Sequence, residues 1–167
     1  MNKLQILSAK ILDQEHLRRA CVVWNFKNRK VVFTNGCFDI LHLGHIEYLA
    51  KAAELGDILV IGMNSDQSVH KIKGSKRPIN DEHSRSMVLA SLEFVTAVVL
   101  FDEKTPVELI KTIQPDILVK GKDYKIEQIA GYDIVLAKGG KVETIELTPG
   151  YSTSGIEQKI LKLHQEG

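Results

Sequence analysis

Several features that would assign a class at once are missing from this sequence. Cysteine occurs twice in 167 residues, as Cys21 and Cys37, with no CxxC pair. That excludes a disulfide framework and a cysteine-rich zinc site, and it suits a reducing cytosol. Proline occurs only four times, and neither an internal repeat nor a low-complexity tract is visible. Long hydrophobic runs are absent: the longest are about five residues, against the roughly 18 needed to span a bilayer. The first residues lead within a few positions to Asp13 and Glu15, so they do not read as a secretory signal. Charge of one sign is lacking as well. Lys plus Arg is 22 and Asp plus Glu is 21, a net charge of +1, which argues against a nucleic-acid scaffold or a polybasic membrane binder. What is present is 44% hydrophobic and 26% charged residues, enough for one ordinary core. The expectation is a single-domain cytoplasmic protein with neither nucleic acid nor membrane as partner.

Short β-branched runs alternate with longer helical stretches. Residues 31–34, 58–62, 95–100, 117–119 and 142–147 read as strands, apolar at nearly every position, as for strands covered on both faces. Helices are expected near 44–55, 65–72, 82–92, 105–113 and 154–163, with Thr105 as N-cap and Pro106 at the first helical position. A further helix over about 13–27 carries Leu17, Ala20, Cys21 and Trp24 on one stripe, and it needs the sheet or a partner subunit to cover it. The alternation predicts an α/β fold: a doubly wound, Rossmann-like parallel sheet of five strands with helices on both faces. It divides into an N-terminal helical extension, 1–28, and a main domain, 29–167.

Polar residues and glycines gather just after each strand: Asn35, Gly36, Asp39, His42 and His45 after the first, Asn64 to Asp66 after the second, Asp102 after the third. Lys120 to Asp123 follow the fourth, and Thr148 and Gly150 to Thr153 follow the fifth. Ligands of open α/β sheets bind beyond these carboxyl ends, so the segments should converge on one crevice. The most informative runs from Thr34 to His45. His45 falls in a first helical turn, where free N–H groups and the macrodipole favour an anion, and Gly44 lets a ligand approach the backbone. Two imidazoles there make a phosphate site. A zinc site would need further ligands, and neither HExxH nor CxxC follows. Asp39 reads as a structural cap on backbone N–H groups ahead of a catalytic base, and Cys37 as a small filler ahead of a nucleophile. Neither GxxxxGK[ST] nor GxGxxG occurs, and the stretch 150–154 lacks the last glycine of a nucleophile elbow.

The stretch His42-Leu43-Gly44-His45 after a first strand resembles the HxGH signature of the nucleotidyltransferase superfamily. Its surroundings resemble the heptose-1-phosphate adenylyltransferases (ADP-heptose synthases) in particular. Residues 34–45 match "TNGxFDxLHxGH"; Asn64-Ser65-Asp66 with residues 73–80 match "NSD…KGxxRPxN". Arg85 falls where that family has an arginine, residues 116–124 and 129–131 also match, and Ser152-Thr153 match up to Ser154, which replaces a second Thr. The likeness covers about residues 28–163 and lacks the sugar-kinase domain often fused ahead of it, which implies a stand-alone form.

The resemblance implies transfer of AMP from ATP to a sugar 1-phosphate, a heptose first, with release of pyrophosphate. The alternative is a cytidylyltransferase using CTP and glycerol 3-phosphate or a similar alcohol phosphate. A phosphate monoester is already anionic, so catalysis reduces to positioning and charge neutralisation. His42, His45, Lys73 and Arg85 are implied as catalytic, with Lys73 at the α-phosphate and Arg85 at the β- and γ-phosphates. Thr34, Asn35, Gly36, Phe38, Gly44, Lys120, Asp123, Ser152 and Thr153 are implied as nucleotide-binding. Arg77 is open between triphosphate and acceptor, Ser152 and Thr153 between base and helix cap, Tyr124 and Tyr151 between base and core. Mg²⁺ is expected with the triphosphate, and a homodimer is expected from the N-terminal helix and from related enzymes.

Overall fold

The computed structural model describes residues 2–165; Met1, Glu166 and Gly167 lie outside them. Eight helices and six strands follow in the order α1 Lys3–Ser8, β1 Ile11–Leu12, α2 Gln14–Phe26, β2 Val31–Gly36, α3 Leu43–Ala53, β3 Ile58–Asn64, α4 Asp66–Lys73, α5 Glu82–Ala90, β4 Ala97–Phe101, α6 Val107–Ile113, β5 Ile117–Gly121, α7 Tyr132–Ala137, β6 Lys141–Ile145 and α8 Thr153–Gln165, with a 3₁₀ turn at Ile126–Gln128 before α7. The strands form one sheet in the order β1-β4-β3-β2-β5-β6. Every pairing among the described residues is parallel, as alternating strands and helices require.

Six strands replace the expected five. The additional β1 has two residues, paired Ile11↔Val98 and Leu12↔Val99 at the sheet edge, too short for any hydrophobic period to be read. A second correction concerns β6. It was expected to be covered on both faces, yet its residues are alternately exposed and half-buried, because it closes the opposite edge of the sheet. Helix α6 starts one residue later than expected, with Pro106 as N-cap and no side-chain cap bond from Thr105. Helices α1 and α7, six residues each, were not expected; at that length the 3.6-residue period hardly repeats.

The core lies in two layers, one on each face of the sheet. Tyr48, Leu49 and Ala52 of α3 and Leu89 and Ala90 of α5 pack with Val32, Leu59, Ile61 and Val119 on the first face. Leu17 of α2, Leu109, Ile110 and Ile113 of α6 and Val135 of α7 pack with Val31, Phe33, Val60 and Leu118 on the second. Neighbouring strand residues alternate between layers, because strand side chains point to opposite faces. The stripe on α2 docks on this chain's own sheet: Leu17 is fully buried, and Cys21 and Trp24 pack against the second layer. Asp13 starts that helix by accepting from the His16 backbone N–H at 2.8 Å, the bond an Asp N-cap supplies.

Strand order reverses at β2, with β3 on one side and β5 on the other. The crevice beyond the carboxyl ends of β2 and β5 is therefore where an open parallel sheet holds its ligand.

Candidate active site

A cavity of about 660 Å³ opens at that switch point. A cavity of about 760 Å³ lies at the amino end of the strands, with Arg18, Lys30, Asp116 and Lys138 in its wall. There Lys138 donates to the Gln114 carbonyl and faces Asp116 at 3.6 Å, so its charge answers the exposed carbonyls at the end of α6. The chemistry-bearing segments gather at the first cavity.

Its centre is the start of α3. His42 is the N-cap, with Nδ1 accepting from the His45 backbone N–H in a long 3.4 Å bond. The two imidazoles stack with centroids 3.8 Å apart and planes 22° apart. Phe38, in the left-handed backbone region at φ 47°, sets its ring edge-on to His45 at 5.3 Å. Gly44 keeps this corner open: a Cβ there would sit 3.2 Å from both His42 Nδ1 and the Tyr151 Cβ. Burial, with His42 and Lys73 beside it, lowers the His45 pKa to about 4. Burial also pushes His42 below its ordinary value. Both rings are thus neutral at pH 7, each with one N–H to offer and no fixed charge. The His45 Nδ1 is buried without a hydrogen-bond partner.

Positive charge comes from the flanking elements. Lys73, the last residue of α4, lines the cavity. Lys120, at the end of β5, donates from Nζ to the Asn35 carbonyl at 2.9 Å and lies 5.6 Å above the Tyr124 ring. Its own burial lowers its pKa to about 8, so it is still mostly a cation at pH 7.

The model of the family described as cytidylyltransferase-like matches residues 33–159 of this sequence. The chain belongs to the cytidylyltransferase-like family. The bifunctional protein HldE of Citrifermentans bemidjiense is 52% identical over 153 residues, 92% of this chain but 31% of that protein. The chain therefore spans about a third of the length of the curated relatives it matches. The lipopolysaccharide core biosynthesis protein of Thermoplasma volcanium GSS1 superposes with a TM-score of 0.59 at 32% identity, covering 72% of this chain and 97% of that one. Pantoate-beta-alanine ligase of Francisella tularensis shares the fold alone, with a TM-score of 0.55 at 18% identity over 93% of this chain and 78% of that one.

Most of the residues that the nucleotidyltransferase resemblance singled out meet in the cavity. Asn35, Gly36, Phe38, His42, Gly44 and His45 line it from the β2–α3 loop. Lys120 and Asp123 line it from the end of β5, and Ser152 and Thr153 from the start of α8. The Ser152 hydroxyl accepts from the Gly155 backbone N–H at 3.0 Å, so its cap role is present. Tyr124 and Tyr151 both stand at the cavity wall, about half exposed.

Two do not reach it. Thr34 is fully buried, its hydroxyl 2.7 Å from that of Tyr48, and ties β2 to α3. Arg85 is also buried. Its Nη1 donates to the Cys37 and Asn64 carbonyls, Nε to the Asn80 carbonyl at 3.0 Å, and Nη2 to Asp66 at 2.7 Å. Four of its five N–H bonds are taken by the protein. Arg85 clamps together the loops after β2 and β3 and the segment before α5.

Asp39 is structural, as its reading suggested, but the N–H groups it holds lie far away in sequence. Oδ1 accepts from the Ile79 and Asn80 backbones at 2.7 and 3.0 Å, and Oδ2 from Arg77 at 2.8 Å. Burial works against its charge; the Asn80 N–H, Arg77 and the Ile79 N–H outweigh it and hold the carboxyl below its ordinary pKa. Arg77 also pairs with Glu157 of α8 and stands behind the cavity-lining Asp39 without lining the cavity itself. Cys37 is half-buried, with its thiol pKa pushed up by burial, as a filler requires. Lys104 and Gln128 at the cavity wall had not been singled out, and Thr105 only as a helix cap. They come from the β4–α6 loop and the 3₁₀ turn, which carry no motif.

The half-buried His45 makes stability pH-dependent. Above about pH 6.5 both folded and unfolded chains hold it neutral. Between there and about pH 4 the unfolded chain binds the proton first, so stability falls as pH falls. Replacing His45 by Asn should flatten this acid limb in thermal melts from pH 7 to 4.5. Melting curves that stay parallel to those of the unaltered protein would show that the ring titrates normally.

Proposed function

We propose that this chain transfers AMP from ATP to a sugar 1-phosphate, heptose 1-phosphate first, and releases pyrophosphate. The observation that carries the reading is the stacked His42–His45 pair at the start of α3, flanked by Lys73 and Lys120 in one cavity. Neutral imidazoles and backbone N–H groups at a helix start donate hydrogen bonds to phosphate oxygens, and the lysines meet the charge that develops on them. The acceptor phosphate attacks the α-phosphorus in line and needs no base, in keeping with an Asp39 whose oxygens are already committed. Mg²⁺ enters as part of the triphosphate substrate. Among the described residues no group of three or more His, Cys, Asp or Glu is placed to hold a metal ion, and Mg²⁺ bound to phosphates and water asks for little more. Identity near 50% with HldE proteins supports the choice of acceptor.

Coupled pyrophosphate release tests the reading, with ATP or CTP offered against heptose 1-phosphate or glycerol 3-phosphate. ATP with the heptose phosphate should turn over fastest. Preference for CTP with glycerol 3-phosphate would replace it with the cytidylyltransferase alternative.

We further propose a cytoplasmic homodimer. Among the described residues no helix is long and apolar enough to cross a membrane. Val22 and Phe26 of α2 are 70% and 87% exposed, and Ile160, Leu161 and Leu163 of α8 are exposed as well. A second copy would cover such surfaces. Light scattering should give twice 18.7 kDa; a mass of one chain would refute the dimer.

A further inference from the structure

We infer that Asn35 selects the acceptor, its side-chain amide hydrogen-bonding a hydroxyl of the sugar phosphate in the half of the cavity that faces α6 and α7. The inference rests on the proposed sugar-phosphate transfer and adds where the acceptor sits and which residue reads it.

The two faces of the sheet divide the cavity. Along β2, Val32 packs in the first layer and Thr34 bonds to Tyr48 of α3, while Val31 and Phe33 pack in the second. Alternation then puts Asn35 on the second face. The same count along β5 puts Ile117 and Val119 on the first face, and Leu118 and Lys120 on the second. Asn35 and Lys120 thus share a face, joined by the Lys120 bond to the Asn35 carbonyl. Thr105, Gln128 and the buried Ile129 complete this half. The histidine pair belongs to the other half, at the start of α3.

In-line transfer uses both halves. The pyrophosphate leaving group and the attacking phosphate lie on opposite sides of the α-phosphorus. With the leaving phosphates at the α3 start, the acceptor enters from the second face. Lys120 spends one of its three N–H bonds on Asn35 and keeps two for an anion.

One atom shows what else that half is built to meet. The Asn35 Oδ1 is buried and has no hydrogen-bond partner, an arrangement that a folded protein rarely tolerates without a use. A fully ionised phosphate offers only acceptors and cannot satisfy it; a sugar hydroxyl can. A hydroxyl entering beside Asn35 donates to this Oδ1.

The test is steady-state kinetics of Asn35→Ala and Asn35→Ser with ATP, heptose 1-phosphate and a set of its single-deoxy analogues. Asn35→Ala should raise the KM for the sugar phosphate about ten-fold, the worth of one hydrogen bond, and leave the KM for ATP within about two-fold. One deoxy analogue should lose the same factor with the unaltered protein and nothing further with Asn35→Ala. Melting temperature should not fall, because the atom removed has no partner. A raised KM for ATP would put Asn35 against the nucleotide and overturn the inference. Equal losses for every analogue in both proteins would overturn it too. If the unaltered protein releases no pyrophosphate from ATP with any sugar 1-phosphate, the reading of the reaction fails before the question of Asn35 is reached.

Discussion

Alanine at His42 or at His45 is expected to cut turnover by at least about 100-fold while the melting temperature falls by only a few degrees. Each neutral ring carries one N–H at the wall of the cavity. Removing one such donor from a site of developing negative charge costs about 10²- to 10³-fold in rate. The structural cost is small. The His42 cap bond is long at 3.4 Å, so its loss falls near the low end of about 0.5–2 kcal/mol for a helix cap. For a chain of this size that is a few degrees at most. His42→Asn keeps a cap acceptor and removes the ring, so it should keep the stability and still lose the rate. Near-normal turnover by both alanine variants would remove the histidines from the chemistry.

Replacing Arg85 is expected to act on folding. The side chain is fully buried and bonded to three backbone carbonyls and to Asp66. Its removal leaves four acceptors short of a donor and one carboxylate short of its charge. Losses of this kind reach about 3 kcal/mol or more, roughly 6–12 °C in melting temperature at this chain length. Arg85→Lys should rescue little, because one ammonium cannot reproduce the planar fork that reaches all four. Chemical unfolding of Arg85→Met and Arg85→Lys decides the matter. Unchanged stability together with a raised KM for ATP would return Arg85 to the β- and γ-phosphates, the role implied by the family likeness.

The two residues differ in how far sequence could carry them. The histidine motif sits between an apolar strand and a helix start, and both are local features. Neighbours in sequence are there neighbours in space, so the stacked pair could be read almost as it stands. Arg85 lies on α5, yet its partners are Cys37, Asn64, Asn80 and Asp66. No local pattern reports that three loops close over one guanidinium, and an arginine near a phosphate motif reads as a ligand until the burial is seen. Thr34 departs for the same reason: strand alternation turns it to the face opposite Asn35, where its hydroxyl meets that of Tyr48 and is fully buried. Asp39 went partly as read, because an Asp in a tight loop captures N–H groups. Which ones it captures, those of Ile79 and Asn80, depended on where the chain returned.

Local periodicity and short-range chemistry were enough to establish the parallel α/β plan, the strands β2 to β5, the apolar stripe of α2 and the β2–α3 loop with its histidine pair. Each is encoded within about a dozen residues. The tertiary structure alone decided the rest. It added β1, because two residues become a strand only when an edge is there to receive them. It left β6 half exposed, because burial depends on what lies beyond the sheet. It assigned Asn35 and Lys120 to one face and His42 and His45 to the other, and it turned Arg85 from the cavity into the core. Such outcomes depend on contacts between segments tens of residues apart, where hydrogen-bond geometry and packing, rather than local propensity, select the arrangement.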